Sequence, residues 1–181
     1  MVKIYKLRLT ILQEEILRFL FIKAGKSFNA RGIAMALEVS QPAISKAIPL
    51  LEKEGFITVF KDKESKRLSI ELNRNDRIMQ LKRAENLKML YQSGLVQFLE
   101  DEFPGATIIL FGSYSRGDDD ITSDIDIAII GSKEKEIKLE NYELKLERKI
   151  ILNFYKSFKD IHKELKENLC NGIVLIGGIE L

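Results

Sequence analysis

Residues Thr107 to Gly131, which read Thr-Ile-Ile-Leu-Phe-Gly-Ser-Tyr-Ser-Arg-Gly-Asp-Asp-Asp-Ile-Thr-Ser-Asp-Ile-Asp-Ile-Ala-Ile-Ile-Gly, leave this part of the chain few ways to fold. The run Thr107–Phe111 is apolar, β-branched and short, which predicts a buried strand. It ends at Gly112-Ser113, where a glycine lets backbone approach a ligand closely. A polar loop is expected next, then a second strand whose side chains alternate between faces. Asp124 and Asp126 would share one face and Ile125 and Ile127 the other, the carboxylates lying roughly 6–7 Å apart along the strand.

Two like charges on one strand face repel, and no Lys or Arg stands between them to offset that. A hard divalent cation would, and Mg²⁺ takes oxygen ligands from one or two carboxylates together with substrate phosphates. Gly112 and Ser113 would offer backbone N–H groups and a hydroxyl to those phosphates, best if Ser113 opens a helix. Arg116 adds a fixed positive charge, and Asp118, Asp119 and Asp120 are expected to face solvent.

The pattern Gly112-Ser113-Tyr-Ser-Arg116-Gly117, followed at Asp124-Ile-Asp126 by paired acids, resembles the nucleotidyltransferase signature, most closely that of the minimal nucleotidyltransferases of the polymerase β superfamily. The resemblance implies that Gly112 and Ser113, with Arg116 beside them, hold the phosphates of a nucleoside triphosphate, ATP being the first candidate. It implies that Asp124 and Asp126 are the catalytic and metal-binding acids. The family takes a third carboxylate from a later strand. Here the next apolar strand is Lys149-Ile-Ile-Leu-Asn-Phe-Tyr155, and Asn153 stands where that acid is expected. An amide ligates weakly and is no general base. Glu147 has the same parity but is expected to end the preceding helix, away from the site.

The charge is divided along the chain. Residues 1–75 hold fourteen Lys or Arg against eight Asp or Glu, a net of +6, whereas residues 76–181 hold fifteen against nineteen, a net of −4. A basic front half suggests a nucleic-acid surface. Leu12, Ile16, Leu17, Leu20 and Phe21 predict a first amphipathic helix, and residues 30–37 a second. Ser40 is the expected N-cap of a third helix with Pro42 in its first turn and Pro49 further in, where a bend is expected. With the hairpin after Gly55, residues 10–73 resemble a winged helix-turn-helix of the MarR-like kind. The resemblance implies that the third helix enters a DNA major groove, bringing Ser40, Gln41, Ser45 and Lys46 near bases or phosphates. The wing would bring Lys61, Lys63, Lys66 and Arg67 to backbone phosphates, with Lys26 and Arg31 as further contacts.

The expected organisation is therefore α+β: a winged helix-turn-helix over residues 1–73, connecting helices over 74–104, and a small mixed α/β nucleotidyltransferase-fold domain over 105–181. The long connecting helix, with Ile78, Leu81, Leu87 and Leu90 read as its apolar side, is a candidate homodimer interface. A final helix is expected from Ser157 through Phe158, Ile161, Leu165 and Leu169, with His162 bordering its apolar face and the single cysteine, Cys170, buried near its end. No run reaches eighteen apolar residues and charges interrupt the opening segment, so neither membrane association nor secretion is expected and the cytoplasm is the expected location. Three readings stay open: Mg²⁺-dependent transfer of a nucleoside monophosphate to an acceptor hydroxyl, a DNA-binding regulator that senses a nucleotide, and a component of a toxin-neutralising pair with a protein partner.

Overall fold

A computed structural model describes residues 9–61 and 68–179. The chain divides into two compact units, Met1–Asn73 and Arg74–Leu181.

The first unit contains α1 (Ile11–Ile22), α2 (Ala30–Ala36), α3 (Gln41–Lys53) and a hairpin of β1 (Ile57–Lys61) and β2 (Leu68–Leu72). Each helix starts where a side chain satisfies an otherwise unpaired N–H. Thr10 and Gln13 form a capping box on α1, Asn29 caps α2 through Gly32 N, and Ser40 caps α3 through Ala43 N. Gln13 has a second job that apolar patterning missed. It is buried, and its Nε2 donates to Ala47 O at 3.2 Å, tying α1 to α3. The third helix continues through Pro49, and the turn between α2 and α3 is made by Glu38 at φ 55. Ile33, Ile44, Leu51, Phe56, Ile57 and Ile70 close the core, and Phe28 bridges to Ile70 of the hairpin.

The second unit runs α4 (Asp76–Ser93), α5 (Leu95–Glu102), β3 (Thr107–Phe111), α6 (Gly112–Arg116), β4 (Ile125–Ile130), α7 (Glu140–Leu146), β5 (Ile150–Tyr155), α8 (Lys163–Cys170) and β6 (Ile173–Ile176). The strands form one sheet in the order β5-β4-β3-β6, with β3 antiparallel to both β4 and β6, and β4 parallel to β5. Its two faces are unequally covered. Ile108, Leu110, Ile125, Ile127 and Ile129 pack into a large cluster with Leu90, Leu95, Leu99 and Phe103, whereas Ile109, Ala128 and Ile130 meet only a smaller one with Phe158, Ile161 and Leu169.

Several expectations need correction. The buried stripe of α4 is Ile78, Lys82, Asn86, Leu90 and Ser93, while Leu81 and Leu87 are only half-buried. The final segment is not one helix: Phe158–Asp160 form a single 3-10 turn, Ile161 is extended, and α8 starts after His162. Cys170 is exposed, because α8 turns its Leu169 side inward. From Gly112 the chain enters the short helix α6 directly, and the polar loop comes only after it.

Candidate functional site

The end of β3 and the start of β4 lie side by side, since Phe111 pairs with Asp126. Gly112, one residue beyond that pair, adopts φ 73, a left-handed conformation that side chains rarely take. A Cβ placed there would sit 2.5 Å from Asp126 Oδ2. Glycine is thus required twice over, once for the turn and once because the Asp126 carboxylate occupies the space a side chain would fill. Ser113 is half-buried in the first turn of α6, and Ser115 Oγ donates to Gly112 O at 2.8 Å, bracing the turn from within. Gly117 closes α6 at φ 83, packed so closely on α4 that a Cβ would lie 2.3 Å from Met79 O.

Asp126 shares its face with Ala128 and Ile130, the thinly covered side of the sheet, and that cover stops short of it, leaving the carboxylate half-buried. Asp124 precedes β4 and is exposed. Burial, then the Asp124 charge, raises the pKa of Asp126 above the ordinary carboxylate range. Tyr155, on the same face of β5, has its phenol pKa raised by burial and by Asp126.

Across the sheet, the β5 residue level with Asp126 is Ile151, and Asn153 pairs one step further in, with Ala128. Neither position on that face carries an acid. Glu147 caps the end of α7. Among the described residues no group of three or more His, Cys, Asp or Glu is gathered to hold a metal. The candidate carboxylate donors at the turn are Asp124 and Asp126. They nonetheless suit a hard cation: both are carboxylates, the inner one is destabilised as an anion, and the glycine turn opens directly onto it.

Arg116 is exposed, and its Nε donates to Asp118 Oδ2 at 3.2 Å. The three-aspartate run has three separate fates. Asp118 takes that bond from Arg116, while Asp120 accepts from Thr122 N at 2.8 Å and Thr122 Oγ1 at 2.6 Å, which lowers its pKa. Asp119, expected to face solvent, is 1% exposed. Its Oδ1 accepts from Lys82 Nζ and from Asn86 Nδ2 (2.7 Å), and its Oδ2 lies 3.5 Å from Arg148. Sequence reasoning missed this cluster. Its one sequence signal was the strict four-residue step Ile78, Lys82, Asn86, Leu90, polar in the middle and apolar at both ends.

In the first unit, Ser40 at the cap and Gln41, Ser45 and Lys46 on the first half of α3 are all exposed. Gln41 and Ser45 line an open groove with Asn29, Ala30, Arg31 and Leu68. Lys61 and Lys26 are exposed. Lys63, Lys66 and Arg67 lie outside the described residues.

Three helices with a β-hairpin, then a mixed sheet whose glycine turn abuts a strand-borne carboxylate, define a two-unit α+β protein. Comparison with known families identifies both parts: residues 9–69 match the MarR family and residues 93–175 match the nucleotidyltransferase domain. The chain joins a MarR-like winged helix-turn-helix to a nucleotidyltransferase domain. Among solved structures, the adhesin competence repressor AdcR of Streptococcus pyogenes is 25% identical, with 53% of this chain and 69% of that one covered and a TM-score of 0.42. A variant of ZitR from Lactococcus lactis is 19% identical, covering 57% and 68%, with a TM-score of 0.42. MepR from Staphylococcus aureus in complex with DNA is 22% identical, covering 52% and 81%, with a TM-score of 0.38. Overlaps this low say nothing further about this chain. No curated protein matches it. No described helix is long and apolar enough to cross a membrane.

Proposed function

We propose that the second unit binds a nucleoside triphosphate, ATP first among the candidates, and transfers its nucleoside monophosphate to an acceptor hydroxyl, while the first unit binds DNA. The observation that carries this reading is the Gly112–Asp126 contact. A turn stripped of its side chain, with a metal-suited carboxylate in the vacated space, brings backbone N–H groups and an anion-bound cation to one ligand. Asp124 and Asp126 are the residues that would hold Mg²⁺, which when bound offsets charge on the phosphates and orients them for attack. Gly112 and Ser113 present N–H groups and a hydroxyl to the departing pyrophosphate. Arg116, whose Nε bonds Asp118 in an exposed pair that costs little to open, adds positive charge for the same phosphates. Incubation with labelled nucleoside triphosphates and Mg²⁺ tests the reaction: label should pass to an acceptor hydroxyl, on this chain or another, with release of pyrophosphate. Absence of transfer by the wild type, with nucleotide uptake retained, would refute it.

A second reading is favoured by a specific observation, the apolar Ile151 level with Asp126 and the amide of Asn153 beyond it. With no carboxylate on β5 to receive the acceptor's proton, the domain would bind nucleotide without turning it over and couple its occupancy to DNA affinity. Calorimetry separates the two, since a sensor shows uptake and altered DNA affinity with no pyrophosphate. In both readings Gln41, Ser45 and Lys46 of α3 meet DNA, Ser40 contributing chiefly as the cap that starts the helix. DNA affinity should fall as salt rises. A homodimer through α4 and a toxin-type protein partner belong to the same proposal, and sedimentation and co-purification test them.

A further inference from the structure

Outside the acids and the glycine turn, the most unusual chemistry in the second unit is the buried cluster of Lys82, Asn86, Asp119 and Arg148, with relative exposures of 0%, 1%, 1% and 5%. Charged side chains are rarely buried so completely, and an apolar set of similar volume would serve packing as well or better. Its bonds run to the parts of the unit that build the site. Asn86 Nδ2 donates to Tyr114 O at 3.0 Å as well as to Asp119, while the Tyr114 hydroxyl donates back to Asn86 O at 3.4 Å. Tyr114 directly follows Ser113, so this exchange fixes α6 against α4. Asp119 fixes the next stretch, five residues before Asp124. Arg148 carries the hold to the foot of β5, where Lys149 O accepts from Ile125 N at 2.8 Å, directly beside Asp124.

One helix therefore grips both the phosphate-facing turn and the loop that delivers the two acids. The aspartates on either side of Asp119 take no part in that grip, since Asp118 bonds Arg116 and Asp120 bonds Thr122. Burial lowers the pKa of Lys82, while Asp119 beside it raises it.

We propose that Asn86 and Asp119, with Lys82 and Arg148 supporting them, are positioning residues of the nucleotide site, holding the Gly112-Ser113 turn and the Asp124–Asp126 segment at the separation that a single triphosphate and cation require. The proposal rests on the nucleotide-binding reading above. Asn86→Leu tests it, because leucine keeps the volume while removing both donated bonds. Leu81→Ala, half-buried on the same helix and outside the cluster, removes packing from α4 without removing the cluster's bonds.

The first measurement needs no ligand. In the full-length chain, amide hydrogen exchange over residues 112–124 should quicken at least tenfold beyond any change in β3 and β4 in Asn86→Leu, and change no more than those strands do in Leu81→Ala. The second is calorimetry with ATP and Mg²⁺, where Asn86→Leu should bind about tenfold more weakly than wild type and Leu81→Ala within twofold. Should Asn86→Leu not fold, Asp119→Asn, which keeps the acceptor and removes the charge, is measured in its place and should show the same two changes in smaller degree. Unchanged exchange over 112–124 overturns the proposal. So does quickened exchange with undiminished nucleotide affinity, which would make the cluster a matter of folding alone. Quickened exchange in a chain whose wild type takes up no nucleotide overturns the nucleotide reading itself, and the proposal falls with it while the local grip of Asn86 stands.

Discussion

Replacing Gly112 with alanine tests the contact on which the site depends. At φ 73 an L-residue costs about 1–2 kcal/mol relative to glycine, reduced somewhat because alanine also restricts the unfolded chain. For a unit of about a hundred residues that is a fall in melting temperature of roughly 4–15 °C. The new Cβ would stand 2.5 Å from Asp126 Oδ2, inside any tolerated contact, but the obstructing atom is the tip of a side chain that rotates. The overlap adds little to the folding cost and moves the carboxylate instead, by about 0.5 Å to restore a 3.0 Å contact. Since misplacement by about 1 Å costs on the order of a hundredfold, half of that should weaken uptake of ATP with Mg²⁺ by on the order of tenfold, about 1.4 kcal/mol.

Gly105→Ala is the control. Gly105 has φ 79, almost the same strain, and a Cβ there would have nothing within 4 Å. Both variants should melt earlier by similar amounts, and only Gly112→Ala should lose affinity, with calorimetry and differential scanning on the same samples as the assay. Equal affinities for the two variants would refute the reasoning, because the strain is shared and the obstruction is not.

The same geometry leads to further outcomes. Because the folded-state pKa of Asp126 is raised, the folded chain binds that proton more tightly than the unfolded one. This group's share of stability is then present at low pH and lost as pH rises through the window above the ordinary aspartate range, while Mg²⁺ uptake runs the other way and weakens as pH falls. Carboxyl NMR should show Asp126 titrating high and returning towards the ordinary range in Asp124→Asn. Ile151→Asp, which sets a third acid level with Asp126, should tighten Mg²⁺ binding by about tenfold or more and raise any transfer activity. Asn153→Asp, one step along the strand, should do less, and the reverse order in calorimetry would overturn the register argument. Lys46→Ala should weaken binding to duplex DNA and lower the slope of log affinity against log salt by about 1, measured by fluorescence anisotropy.

Much of the fold was legible because its signals are local. The capping residue Ser40 marks a helix start by chemistry within three residues of the backbone it serves, whereas the caps at Thr10, Asn29 and Asn75 appear only in the structure. The alternation from Ile125 to Ile130 sets the face of Asp126 once a strand is granted, while Asp124, expected on the same strand face, lies just before it. The errors arose where a partner far along the chain decided the outcome. The helix from Ser157 is apolar at helical spacing, yet Phe158 and Ile161 enter the core from a 3-10 turn and an extended residue, because the smaller cluster on that face needs them there. Cys170 is exposed by one step of helical rotation from Leu169, a margin that composition does not resolve.

The site divides along the same line. The Gly-Ser turn and the paired acids lie eleven positions apart, Ser113 to Asp124, and read as one motif, whereas the proposed hold on them depends on Lys82 and Asn86, more than thirty residues before Asp119. A lysine and an asparagine in a helix are read as solvent-facing, and an aspartate within Asp118-Asp119-Asp120 as one of a charged run. Only their meeting makes burial affordable for all three, since each removes the desolvation cost that would keep the others at the surface. Parallel pairing has the same character. The position of the expected third acid depends on the register of β5 against β4, which places Ile151 level with Asp126 and moves Asn153 one step inward. That register begins with the bond from Ile125 N to Lys149 O, at the foot of the strand beside Arg148. The residues assigned to the candidate site could therefore be proposed from neighbours in sequence, and the residues that pack behind them could not.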